Sequence, residues 1–219
     1  MTAPLTVAAA GRRFVGLTAL RWLPIGLAAP VSVLLAASRG LSPADIGVVV
    51  AVYSLVTLLL ELPTGGLADA IGTRQVLVLS GLATTAGLLT SAVAQSTAVF
   101  AVAWALKGVG RALDSGPLEA WYVDAVRAAD PDADVTPGLS RAGAADGAGL
   151  CLGAVLGGLL PLLGGGLLVL PVLVAAALAL AGVAAVALLV VPVGPARGSG
   201  AAALRAGVAQ VPAVVRDTA

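Results

Sequence analysis

The stretch "GGLADAIGTRQVL", residues 65–77, lies between two long apolar runs and carries one acid, Asp69, and one base, Arg74. Only 11% of the 219 residues are charged, 59% are apolar, and the mean hydropathy is +1.06. A soluble domain carries charge on about a quarter of its residues. This chain lacks the polar side chains needed to cover a surface in water. The stretch is therefore interpreted as a link between membrane-crossing segments.

Six apolar runs lie along the chain, two before this link and four after it, and each is long enough to cross about 30 Å of hydrocarbon as a helix. They are rich in Leu, Val, Ala and Gly, without the alternation of apolar and polar residues that barrel strands show. The runs cover residues 14–38, 46–65, 76–94, 97–121, 142–163 and 167–192. The sequence predicts an all-α integral membrane protein with six transmembrane helices.

The basic residues between the runs are distributed unevenly. With the N-terminus inside, the outer loops hold only Arg39, whereas the cytoplasmic segments hold Arg12, Arg13, Arg74, Arg127, Arg141, Arg197, Arg205 and Arg216. This positive-inside pattern predicts that both termini are cytoplasmic. The predicted organisation is a cytoplasmic N-terminus (1–13), a transmembrane bundle (14–192) and a cytoplasmic segment (193–219). The excess of arginine over lysine and the many Ala and Gly residues suggest a bacterial plasma (inner) membrane.

Several residue types that carry chemistry are scarce or absent. The chain has no histidine, which excludes a histidine triad, a histidine metal site and a histidine proton relay. Its one cysteine, Cys151, cannot form a disulfide within the chain and lies in a glycine-rich run. The net charge of +1 provides no basic field for nucleic acid. We predict no metal, no cofactor, no nucleic-acid partner and no enzymatic activity.

Charged residues inside the apolar runs need a partner or a water-filled cavity, because a bare charge in the bilayer is costly. Arg21 lies in the first run, and Glu61 lies close to the cytoplasmic end of the second. At 1.5 Å per residue, Arg21 lies about 10 Å in from the start of its run, and Glu61 lies at a similar depth. An Arg21–Glu61 pair is therefore plausible, either as a structural bridge or as part of a gate.

The fourth run is the most polar. Three charged residues at spacings of four and three share one helical face: Lys107, Arg111 and Asp114. An adjacent stripe continues with Ser115, Glu119 and Tyr122. These residues predict a face that lines the bundle interior or a wet cavity for substrate or protons, with a structural ion cluster as the alternative. Pro117 predicts a local break in this helix.

Glycines recur every four residues in the fifth run, at Gly149, Gly153 and Gly157. Such a small-xxx-small face allows two helix backbones to approach closely. Simple helix packing explains it, and a hinge or sliding surface is the alternative.

In these features the sequence resembles the major facilitator superfamily. The opening stretch is similar to the family signature G-x-x-x-D-(R/K)-x-G-x-(R/K)-(R/K) between helices two and three. Gly65, Asp69, Gly72 and Arg74 match it, while Ala70 and Gln75 replace basic residues. The preceding "ELPTG", residues 61–65, resembles the lead-in of many efflux members.

Two further motifs carry the resemblance. The fifth run resembles the antiporter motif G-x-x-x-G-P-x-x-G-G through Gly149, Gly153, Gly157 and Gly158, with Ala154 in place of proline. Arg111 stands where the family has its buried arginine in helix four, although the "ALDSG" after it departs from the usual spacing. Asp124 resembles the acid that pairs with the loop arginine in this family.

The resemblance covers residues 10–219 and implies one six-helix half, built of two inverted three-helix repeats, followed by the start of a central cytoplasmic linker. It implies alternating access and, through the antiporter motif, proton-coupled export of small amphiphilic compounds. Carboxylates would then carry protons, with Asp114 and Glu119 ahead of Asp146. Import of another small solute or export of an anion stays open.

The partners expected from this resemblance are the bilayer, a small-molecule substrate and protons. A C-terminal six-helix half or a second copy of the chain would complete the carrier. A truncated or split half that acts only as an assembly partner or a homodimer is the alternative.

For the opening stretch, the resemblance implies a conformational lock in which Arg74 bridges Asp69 and Asp124 on the cytoplasmic side. Gly72 would permit the tight turn. A topogenic arginine beside a turn-capping aspartate is the alternative.

Overall fold

The computed structural model describes residues 5–64, 67–163 and 167–192, and within these ranges the chain forms helices and no strand. The helices, in chain order, are α1 Val7–Ser38, α2 Pro43–Thr64, α3 Leu67–Ile71, α4 Thr73–Val93, α5 Thr97–Asp114, α6 Pro117–Ala129, α7 Thr136–Leu163 and α8 Val169–Leu189. The predicted cytoplasmic segment 193–219 lies outside the described residues.

Five of the helices in the described part are long and apolar enough to cross a membrane: α1, α2 over Pro43–Glu61, α4, α7 and α8. Many large apolar side chains on them face outward, including Leu58, Val93 and Leu162. Outward apolar surface on this scale suits contact with lipid and not with water. The prediction of an all-helical membrane protein is thereby confirmed, while the sixth span stays a prediction.

The fourth predicted run, 97–121, is not one helix. It divides at Ser115 and Gly116 into α5 and α6, as Pro117 predicted. Gly116 has φ +94°, a conformation that glycine adopts without strain, and Pro117 begins α6 at a position where its missing N–H costs no hydrogen bond. The remaining α5 has 18 residues and would span about 27 Å, and it carries three charged residues.

Helices α1 and α7 form the tightest packing in the bundle, and they run parallel. The backbone carbonyls of Ala19, Leu23 and Leu27 on α1 lie successively against Gly149, Gly153 and Gly157 on α7. A methyl group at Gly149 would come within 3.0 Å of the Ala19 oxygen, and one at Gly153 within 2.5 Å of the Leu23 oxygen. Gly158, in contrast, has open space around it and lies off this interface. Only residues without a side chain permit this backbone contact.

A second glycine-mediated contact joins α4 to α5, which run antiparallel. Gly87 on α4 lies against the Ala103 carbonyl and the stem of Lys107, and Gly110 on α5 lies against Ser80 and Thr84. The Ser80 hydroxyl donates a 2.8 Å hydrogen bond to the Gly110 carbonyl. These glycines were not singled out from the sequence because they follow no four-residue repeat.

The buried apolar residues form two clusters along the bundle. One includes Leu27, Leu35, Leu88, Phe100 and Val172. The other includes Phe14, Leu17, Leu77, Trp121 and Val186. On α1, α4 and α8 alike, the clusters occupy successive stretches of the helix. Arg21 lies on α1 between the two clusters. We call the level of the bundle at Arg21 the charged layer, because it separates the two apolar clusters.

Two arginines cap helix C-termini, where backbone carbonyls lack partners within the helix. Arg39 donates to the carbonyls of Ser91 (3.0 Å), Ala92 (2.6 Å) and Ala94 at the end of α4, and it lies 6.0 Å from the Phe100 ring centroid. Arg13 donates to the Leu189 carbonyl at the end of α8 at 2.9 Å. Residues interpreted from sequence only as topology signals therefore also stabilise helix ends.

Replacing Gly153 by Ala should destabilise the bundle by about 1–3 kcal/mol, because the new methyl group would collide with the α1 backbone. Gly158→Ala is the matched control on the same helix, and it should leave the melting temperature unchanged or slightly raised, since Ala favours helix. Thermal unfolding of the purified variants in detergent measures both. Equal melting temperatures for the two variants would contradict the α1–α7 contact.

Replacing Arg39 by Ala should destabilise the protein by about 2 kcal/mol, because hydrogen bonds from its charged guanidinium to the end of α4 would be lost. The control is Arg12→Ala, since Arg12 is exposed. A thermal shift for Arg12→Ala as large as that for Arg39→Ala would show that the cap contributes nothing specific.

Candidate functional site

An ion pair between Arg21 on α1 and Asp114 at the end of α5 lies at the centre of the site. The Arg21 and Asp114 side chains are 19% and 13% exposed, and Arg21 Nη2 also donates to the Asp114 carbonyl at 3.2 Å. The Nε of Arg21 is buried without a hydrogen-bond partner. The expected Arg21–Glu61 pair is therefore wrong: the break after α5 brings Asp114 to Arg21, and Glu61 lies exposed on α2.

Two cavities meet at this ion pair. The tryptophan cavity, with a volume of about 360 Å³, lies among α1, α2, α4, α5 and α8 and includes Trp22 and Trp104 in its lining. The carboxylate cavity, with a volume of about 420 Å³, lies among α1, α5, α6 and α7 and includes Glu119 and Asp146 in its lining. Arg21, Trp22, Arg111 and Asp114 contribute to both linings. The ion pair thus forms part of the wall between the cavities.

Aromatic rings accompany the cations of the tryptophan cavity. Lys107 Nζ lies 3.9 Å from the Trp104 ring centroid, and the Arg111 guanidinium lies 5.7 Å from that of Trp22. Tyr53 of α2 packs edge-on against Trp104 with centroids 6.0 Å apart. A cation held against a ring face is attracted by the quadrupole of that ring. These contacts stabilise positive charge in a mostly apolar surrounding.

The charges of the tryptophan cavity do not cancel. Asp114 is paired with Arg21, and among the described residues neither Lys107 nor Arg111 has a carboxylate within 4.0 Å. The Nε1–H of Trp104 is also buried without an acceptor. The cavity is therefore lined by two cations that have no paired carboxylate in the described part of the chain.

The stripe predicted from Ser115 through Tyr122 is only partly formed. Ser115 and Glu119 line the carboxylate cavity, where Asp146 joins them from α7. Tyr122 instead stacks on Phe14 with ring centroids 4.5 Å apart, and its O–H donates to the Val135 carbonyl at 3.3 Å. Because α6 begins as a separate helix after Gly116, the spacing between Ser115 and Tyr122 does not place them on one helical face. Tyr122 is a core residue.

The segment that links α2 to α4 is described only in part. Gly65 lies outside the described residues, as does the side chain of Asp69. Gly72 has φ +95° at the N-cap of α4, a conformation that favours glycine. Arg74 and Asp124 are both exposed, and no ion pair joins these two described residues.

Sequence reasoning missed the aromatic part of the site. Only 3% of the residues are aromatic, yet Trp22, Tyr53 and Trp104 gather at one cavity. The usable signal was local: Trp22 follows Arg21 directly, and Trp104 precedes Lys107 by three residues, which is within reach on a helix. Tyr53 comes from another helix, so no local spacing could have indicated it.

The apolar helices and the charged central cavities define a multi-pass membrane protein with an interior site. The Major Facilitator Superfamily family profile matches residues 14–218. The chain belongs to this superfamily, which is a superfamily of membrane transporters. No curated protein matches the chain.

Proposed function

We propose that this chain forms a six-helix half of a transporter that exports small amphiphilic compounds in exchange for protons by alternating access. The observation that carries the proposal is the Arg21–Asp114 ion pair in the wall shared by the two cavities. Such a pair can exist in two forms, because a proton on Asp114 removes the charge that holds Arg21 to α5. A carboxylate in this position can thereby couple protonation to the contact between α1 and α5.

Glu119 and Asp146 support the same proposal from the carboxylate cavity, where they provide further proton acceptors beside Asp114. In this scheme protons pass through the carboxylate cavity, and substrate occupies the tryptophan cavity. Arg111 borders both cavities, so a change in its surroundings on one side alters the electrostatics of the other.

Alternating access needs two bodies that move about a central site, so the proposal includes a second six-helix bundle. Either a C-terminal half or a second copy of this chain would meet the requirement. The proposed setting is a bacterial plasma membrane with both termini in the cytoplasm, on the evidence of the arginine distribution.

The conformational lock is part of the proposal. Arg74 and Asp124 lie exposed, where they are accessible to a partner that approaches from the cytoplasmic side. The lock would form when the two bundles close there, with Arg74 between Asp69 and Asp124 and with Gly65 and Gly72 shaping the turn. Glu61, just before this turn, remains a candidate for the coupling of protonation to lock movement.

Asp114→Asn should abolish substrate-driven proton movement, because the amide cannot take up and release the proton. The measurement uses proteoliposomes of the full chain that contain a pH-sensitive dye, to which an amphiphilic compound found in an accumulation screen is added. Asp132→Asn, which removes an exposed carboxylate in the turn after α6, is the matched control.

A variant with Arg21→Gln and Asp114→Asn together separates coupling from stability, since it removes both partners of the ion pair and leaves neither charge without the other. Its melting temperature should be higher than that of Asp114→Asn, in which Arg21 is left without its partner, and it should still move no protons. Normal exchange in both Asp114→Asn and Glu119→Gln would show that these carboxylates are not the proton carriers.

Asp69→Asn should lower transport strongly while insertion and expression stay normal, because the lock needs a charge that the amide lacks. Transport assays in parallel with membrane quantification test this. If the protein instead fails to insert, Asp69 and Arg74 serve topology and turn formation, and the lock proposal is wrong.

A further inference from the structure

We propose that the tryptophan cavity selects amphiphilic organic anions, molecules with an apolar or aromatic body and one carboxylate or sulfonate group. The inference rests on the proposed transport function and specifies its substrate class. It concerns equilibrium binding, however, and does not depend on proton coupling.

The charge of the cavity carries the first step. Arg21 and Asp114 neutralise each other, so the charge that remains comes from Lys107 and Arg111. Neither has a carboxylate within 4.0 Å among the described residues. Charged groups in a low-dielectric interior interact more strongly than in water, so both cations stabilise an anion that enters the cavity. A cationic substrate would be repelled by the same two groups.

The placement of Lys107 carries the second step. Its stem lies against Gly87 of α4, which leaves room for it because glycine has no side chain. The ammonium lies against the Trp104 ring, and the buried Trp104 Nε1–H lacks an acceptor. An ammonium donates up to three hydrogen bonds, and contact with a ring face satisfies none of them fully. An anionic oxygen beside Lys107 would accept hydrogen bonds from this ammonium.

The remaining wall carries the third step. Away from the charged layer the cavity lining includes apolar side chains such as Ile25, Leu88 and Val183. Tyr53, Trp22 and Trp104 add ring faces and edges that suit a flat aromatic body. The volume of about 360 Å³ is at the lower end for small-molecule sites and suits a one- or two-ring compound. The site therefore combines a cationic end with an apolar body.

The test compares two probes that share an aromatic body and differ in charge, 1-naphthylacetate and 1-naphthylmethylammonium. Equilibrium binding of each radiolabelled probe is measured on the full chain in nanodiscs of zwitterionic lipid, with empty nanodiscs as the blank. We expect 1-naphthylacetate to bind at least about tenfold more tightly, the difference that one charge-assisted contact supplies. Equal affinity, or preference for the cationic probe, overturns the proposal whatever the variants do.

Lys107→Gln and Arg111→Gln should each weaken 1-naphthylacetate binding by about 10- to 100-fold and leave the weak binding of the cationic probe unchanged or improved. Arg127→Gln is the matched control, because it removes one exposed arginine from α6, outside both cavities. A comparable loss in Arg127→Gln, or an unchanged probe preference in Lys107→Gln, contradicts the proposal.

Anionic lipid is a competing source of the same chemistry. If nanodiscs with phosphatidylglycerol abolish binding of 1-naphthylacetate to the wild-type chain, the site belongs to a lipid headgroup and the proposal is wrong. If the anionic probe binds as expected but no proton movement accompanies it in proteoliposomes, the proton-coupled function fails while the substrate class stands. If only the cationic probe moves together with protons, the proposed anionic substrate class fails while the proton-coupled function stands.

Discussion

The cost of placing charge in an apolar interior governs this bundle, and the Arg21–Asp114 ion pair is where that cost is met. Neither group would be stable alone between two apolar clusters, so α1 and α5 have to bring them together. The break at Ser115 and Gly116 allows this, because α5 ends at the carboxylate and α6 continues from a new start. Both cavities then open beside the pair, and the bundle has polar space where its packing is interrupted.

Glycine contacts set the distances on either side of this charged layer. The α1–α7 contact holds two backbones together without side chains between them, and in the α4–α5 contact Gly87 lies against the Ala103 carbonyl and the stem of Lys107. Close backbone packing in a membrane gains dispersion energy that lipid cannot supply as well. Because α1 and α5 both contribute to the site, these contacts fix where its cations stand.

The site combines features that a purely structural ion cluster does not need. An ion cluster that serves only stability would pair its charges, since an unpaired buried charge is destabilising. Here Lys107 and Arg111 remain without carboxylates among the described residues and are accompanied by Trp104 and Trp22. Unpaired charge of this kind lowers stability, and it is common at functional sites.

The sequence by itself determined the class of protein, because hydropathy and the rarity of charge leave a chain of this length no soluble alternative. Local spacing also indicated the charged face of α5, the break before Pro117 and the glycine face of α7. Tertiary structure alone decided which charges pair. The depth of the residues in the membrane suggested that Arg21 pairs with Glu61, but the rotation of the helices about their axes and the end of α5 bring Asp114 to Arg21 instead. It alone gathered Tyr53 with two tryptophans and removed Tyr122 from the cavity. Contacts between residues far apart in the chain depend on how helices are rotated and packed, and neither composition nor periodicity encodes that.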